Sequence, residues 1–161
     1  ARIWVEDPGY TAARATLAAS GLTICPVPVD AQGLDVGLGA MRGAGARAVY
    51  VTPSHQFPTG VSMSMARRSA LVAWARASNA WILEDDYDSE FRYAGPPLTA
   101  LAGIGGGDRV LYLGTLSKIL APGPGPSSRV SPPAPVRAGG RVLALHVTAQ
   151  GTGLVTCRVR P

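Results

Sequence analysis

Through the first 121 positions, apolar residues fall in short, nearly unbroken blocks separated by stretches where apolar and polar positions mix. The blocks are ARIWVED, TICPVPVD, ARAVYVTP, WILEDDYD and RVLYLGTLS. A strand covered on both faces has this appearance, because neither face accepts a regular polar alternation. Two intervening stretches read as helices. One is YTAARATLAASG, closed by Gly21; the other is MSMARRSALVAWARASNA, with Met65, Leu71, Val72 and Trp74 on a partly apolar face. Alternating units of this kind predict an α/β fold, a three-layer α/β/α arrangement around a mostly parallel sheet. Such sheets bind ligands outside the carboxyl ends of their strands. Those ends carry Asp7 to Tyr10, Pro53 to Gly60, Asp85 to Tyr87 and Thr115 to Lys118.

Beyond Gly123 the pattern stops. Residues 122–161 hold seven of the fourteen prolines, five arginines and no acid, and only VLALHV could make a weak strand. Such a composition does not build a core. The expected division is therefore a folded part over 1–121 and a Pro/Gly/Arg-rich tail over 122–161, disordered or out of frame.

The net charge of +5 belongs wholly to that tail, since the first 121 residues hold ten basic and ten acidic side chains. This is not the basic face of a nucleic-acid-binding domain. No apolar run is long enough to span a membrane and the first residues lack a signal pattern, so a cytoplasmic location is expected. Cys25 and Cys157 suit neither a disulfide framework nor a zinc site.

Lys118 is the one lysine among fifteen basic residues. At the end of a strand, behind Thr115 and Ser117, its amine could lose a proton and attack a carbonyl, or could simply be a surface charge. Asp85 and Tyr87, two apart in an extended segment, would face one ligand together. The acidic run around them could also be a magnesium site or a solvated loop cap. His55 lacks a nucleophile pattern beside it and reads as a structural or supporting residue. Tyr10 either lines a site or caps the core.

Taken together and in order, EDPGY, VTPSHQFPTG, ILEDDYDSEFRY and YLGTLSKILAPG resemble the aminotransferase-like domain of the MocR/GabR transcriptional regulators. The likeness runs from about Arg2 to Gly123. It implies part of the large domain of a fold type I transferase that uses pyridoxal 5′-phosphate. By this resemblance Lys118 forms the Schiff base with the cofactor, a role closed to arginine, whose guanidinium keeps its proton. Asp85 is similar to the carboxylate that pairs with the pyridine nitrogen. Tyr87 matches the phenol on the ring oxygen, Thr115 and Ser117 the phosphate-binding hydroxyls, and Tyr10 the aromatic packed on the ring. Phe57 stands where aminotransferases place an asparagine, as in the regulator branch.

The resemblance also implies what lies outside this chain. The family's phosphate-clamping arginine would follow the A-P-G motif, where this sequence reads PGPSSRV, so the tail looks frame-shifted and the chain truncated. Relatives bind DNA through a winged-helix domain that would precede Ala1, so no nucleic-acid contact is expected from this part. The expected function is effector sensing, with a small-molecule amine or amino acid as ligand. A stand-alone aminotransferase and an inactive fragment are the alternatives, and fold type I domains commonly dimerise.

Overall fold

A computed structural model of the chain describes residues 1–86, 100–104, 109–114, 137–138 and 141–142. The chain divides into two compact units, Ala1–Thr115 and Leu116–Pro161. In the second unit the described residues are two short antiparallel strands, β7 (Arg137–Ala138) and β8 (Arg141–Val142).

The first unit is built on a six-stranded sheet. Its strands are β1 (Arg2–Asp7), β2 (Thr23–Asp30), β3 (Gly33–Leu34), β4 (Ala46–Val51), β5 (Trp81–Asp86) and β6 (Val110–Gly114), in the order β3-β2-β1-β4-β5-β6. All neighbours are parallel except β3, which turns back antiparallel on β2. The five apolar blocks of the sequence are the five parallel strands.

Helix α1 (Thr11–Ala19) covers one face, where Ala13 and Leu17 pack on Ile3, Val5 and Tyr50. Helices α2 (Val36–Arg42) and α3 (Met65–Ala77) cover the other, where Val36, Leu71, Val72 and Ala75 close over Trp4, Val49, Val51 and Ile82. The arrangement is thus the three-layer α/β/α one, with a mixed, mostly parallel sheet. Parallel strands need right-handed crossovers. Strand β1 is joined through α1 to β2 on one side, and β4 through α3 to β5 on the other, so the two helices fall on opposite faces. Strand order reverses between β1 and β4, and the crevice outside their carboxyl ends is where such a sheet admits a ligand.

Two details depart from the sequence reading. Met65 is half exposed; the inward face of α3 is Arg68, Leu71, Val72 and Ala75, with Trp74 at its margin. Helix α2 and strand β3 had no clear signal, because VGLGAMR carries two glycines and β3 is two residues long. Asp35 starts α2 all the same, its Oδ1 accepting from the Leu38 amide at 2.9 Å.

Trp4 explains Gly39, and Gly43 just past the helix. Its ring is fully buried, stacks on Trp74 with centroids 3.7 Å apart, and donates through Nε1 to the Gly43 carbonyl at 2.9 Å. A Cβ on Gly43 would lie 2.2 Å from that nitrogen, and one on Gly39 2.8 Å from Cζ3. The helix trades local propensity for a close approach to the indole.

Candidate functional site

The carboxyl ends of β1, β4 and β5 converge on one rim. Strand β1 ends in EDPGY, where a Cβ on Gly9 would sit 2.3 Å from the Glu6 carbonyl oxygen. Only glycine permits that turn, and it delivers Tyr10 to the first position before α1. Strand β4 runs into TPSHQFPTG, and Phe57 meets Tyr10 edge to face at 5.7 Å between centroids. Both rings are close to half exposed, at 45% and 43%. Tyr10 therefore lines the rim rather than capping the core.

Beneath these rings lies a buried polar network that the sequence did not announce. Glu6 Oε2 accepts from Thr52 Oγ1 at 2.6 Å, from the Thr52 amide at 3.3 Å and from Gln56 Nε2 at 3.2 Å. Gln56 Nε2 also reaches the carbonyls of Pro8, at 2.8 Å, and Phe57, at 2.6 Å. Its Oε1 accepts from Thr59 Oγ1 at 2.5 Å and from the Thr59 amide at 3.1 Å. One glutamine side chain thus ties the EDPGY turn to the PTG turn. Burial pushes the Glu6 carboxyl above its ordinary range, against the pull of its hydrogen bonds to Thr52 and Gln56, and the nearby Asp85 charge adds to the rise. Its Oε1 is buried and has no hydrogen-bond partner among the described residues.

The three acids at the end of β5 separate by strand alternation. Glu84 turns to the α2/α3 face, where it accepts from the Leu101 amide at 3.1 and 3.2 Å. Asp86 turns the same way and accepts from Tyr112 at 2.7 Å. Asp85 turns to the α1 face, where Tyr50 donates its hydroxyl to Oδ2. Burial holds the Asp85 carboxyl above its usual range; the Tyr50 hydrogen bond lowers it and the Asp86 charge raises it further. Among the described residues no cluster of three metal-ligating side chains occurs and no cation pairs with Asp85.

Of the residues that the sequence singled out, Asp85 and Tyr10 stand on this rim. Tyr87, Thr115, Ser117 and Lys118 lie outside the described residues. His55 is exposed on the loop after β4. Tyr50, Glu6, Thr52 and Gln56 were missed. The available signal was polar atoms at the last positions of otherwise apolar strands, which a periodicity reading passes over. A depression of 410 Å³ at the opposite rim, lined by Gly43, Ala46, Arg47, Trp74 and Ser78 among others, has no carboxylate, thiol or imidazole in its lining. No helix among the described residues is long and apolar enough to cross a membrane.

The profile of the aminotransferase class I and II family matches residues 1–122. The HTH-type transcriptional regulator YdeL of Bacillus subtilis is 40% identical over 144 residues, covering 89% of this chain and 31% of that protein. The HTH-type pyridoxine biosynthesis transcriptional regulator PdxR of Corynebacterium glutamicum is 46% identical over 125 residues, 76% of this chain and 26% of that protein. Among solved structures, the kynurenine aminotransferase of Pyrococcus horikoshii, in complex with PMP, superposes with a TM-score of 0.68 at 34% identity, over 75% of this chain and 32% of that one. The chain spans less than a third of the length of each of these relatives. With the parallel sheet and its carboxyl-end site, these matches make the chain a member of the aminotransferase class I and II family, related to the aminotransferase-like part of HTH-type regulators of the MocR/GabR kind.

Proposed function

We propose that this chain is the pyridoxal phosphate-binding, effector-sensing part of a MocR/GabR-type regulator. The observation that carries this reading is Asp85. A largely buried carboxylate at the central rim of a parallel sheet, with one phenol as its partner and no cation among the described residues, suits a protonated pyridine nitrogen. Tyr10 and Phe57 fit the same ligand, since their half-exposed rings offer apolar surface to a flat aromatic group. The residues present therefore fit the cofactor that the family implies.

In this reading Asp85 holds the ring nitrogen's proton, Tyr10 covers the ring and Tyr87 donates to the ring oxygen. Thr115 and Ser117 bind the phosphate, and Lys118 carries the cofactor covalently. When bound, pyridoxal phosphate supplies an aldehyde carbon that exchanges amines and a ring that withdraws electrons. A small-molecule amine or amino acid is the effector. The aminotransferase-like part is residues 1–121. DNA contact belongs to the part of the regulators that this chain does not span, and a cytoplasmic location follows from that role.

Phe57 favours sensing over turnover. It supplies an aromatic edge to Tyr10 where an aminotransferase would offer an amide to the cofactor. The test is a titration of the chain with pyridoxal phosphate followed by visible absorption, then addition of an amino acid and of a keto acid. Cofactor binding with a spectral response to the amine and no keto-acid product supports sensing. Sustained amino transfer supports the stand-alone aminotransferase, and no binding supports an inactive fragment.

A further inference from the structure

We propose that Tyr50 is a positioning residue for the cofactor: its hydroxyl clamps Asp85 Oδ2 and leaves Oδ1 to face the ring nitrogen. The inference rests on the cofactor reading above and deepens it, since no family role was assigned to this tyrosine.

The clamp follows from the register. Tyr50 pairs with Leu83 across the parallel β4–β5 ladder, so Asp85 is two residues further along on the same face. The ring of Tyr50 is buried among Ile3, Val5, Leu83 and Leu113, which leaves it no room to swing. Only the hydroxyl reaches the rim, and Asp85 is the partner it finds there. Aspartate is short, with two rotatable bonds, and without this contact its carboxylate could turn toward solvent.

The surroundings make the donor permanent. Burial, the Asp85 charge and hydrogen bond, and the Glu6 and Tyr10 groups all raise the Tyr50 phenol above its ordinary range. The phenol keeps its proton at every working pH, so the charged Asp85 carboxylate always finds a donor there. The other titratable groups near the pair are Glu6 at the end of β1, Tyr10 before α1, and Asp86, which Tyr112 holds on the opposite face. None of them is a cation, which leaves Tyr50 as the group among the described residues that stabilises the Asp85 charge.

The experiment compares Tyr50→Phe with the wild-type 161-residue chain in two measurements. The first is pyridoxal phosphate affinity between pH 5 and 9. Loss of a hydrogen bond to a charged group raises the Asp85 proton affinity by about one pH unit or more. The acid limb of affinity is therefore expected to move up by about that amount, with about tenfold weaker binding on the acid side and little change at pH 9. An unmoved limb overturns the proposal.

The second measurement is the thermal midpoint without cofactor, in the wild-type and Asp85→Ala backgrounds. Tyr50→Phe is expected to lower it by several degrees in the first and not in the second. Equal losses in both would show that the two residues are not coupled and would overturn the clamp. If wild type binds no cofactor while the coupling persists, the cofactor reading fails and the positioning role falls with it, though the clamp stands.

Discussion

Thr52 Oγ1 donates to Glu6 Oε2 at 2.6 Å and accepts from the Phe57 amide at 3.3 Å. Through this one hydroxyl the ends of β1 and β4 and the loop that follows β4 are held together, at the point where strand order reverses. The crevice of an open sheet is usually described by its topology; here its two walls are joined by side-chain hydrogen bonds. The aromatic pair Tyr10 and Phe57 stands at the same rim.

Glu6 gives the joint a pH dependence. Its folded-state pKa is raised by burial, so the folded chain holds the proton more tightly than the unfolded one. The resulting stability is fully present below about pH 4.5, the ordinary value, and is lost as pH rises through the folded pKa. Each such proton contributes a slope of at most about 1.4 kcal/mol per pH unit. Asp85 has the same sign from its ordinary value of 3.8. Glu6→Gln is expected to flatten the pH profile of unfolding free energy by up to one proton's slope, read by urea denaturation between pH 4.5 and 8. An unchanged slope would remove Glu6 from the account.

Gln56→Ala should loosen both turns together. The side chain is 1% exposed and connects Pro8, Phe57, Thr59 and Glu6, so truncation leaves several buried groups without partners. A loss of about 2–3 kcal/mol is expected. Amide exchange should rise at Gly9, Tyr10, Phe57, Thr59 and Gly60 while β5 stays protected.

Arg68 locks the far side of the same loop. Fully buried, it donates through Nε to the Met63 carbonyl at 2.9 Å and through Nη2 to the Pro53 carbonyl at 2.7 Å. Arg68→Met keeps much of the stem's volume but strips both carbonyls of a charged donor, which should cost about 3 kcal/mol. Chemical denaturation checks this; a change below about 0.5 kcal/mol would contradict it.

Gly43→Ala tests the packing around Trp4. The added carbon cannot be accommodated without moving the indole off Trp74 or breaking its bond to the Gly43 carbonyl. Overpacking of this kind costs about 1–3 kcal/mol. A parallel change in tryptophan fluorescence is expected, because the two rings are stacked.

The strands were legible because they write nearly unbroken apolar blocks, most fully where both faces are buried, as at Ile3 to Val5 and Val49 to Val51. The rim positions of Asp85 and Tyr10 were legible, since both stand at or just past a strand end. Helix α2 was not, because Gly39 and Gly43 answer to Trp4, a residue about forty positions away in sequence, and so contradict local propensity. The Glu6, Thr52 and Gln56 network was hidden for a similar reason. Each residue looks like ordinary loop polarity until β1 and β4 become neighbours. Tyr50 reads as one more apolar strand residue until the parallel register sets its hydroxyl against Asp85.

Borohydride reduction of the cofactor-treated chain, followed by peptide mass mapping, reads out whether pyridoxal phosphate is carried on Lys118 as proposed. A covalent phosphopyridoxyl mass is expected on the peptide containing Lys118, absent from Lys118→Ala and weakened in Asp85→Ala. No adduct, or an adduct that persists in Lys118→Ala, would contradict the proposal.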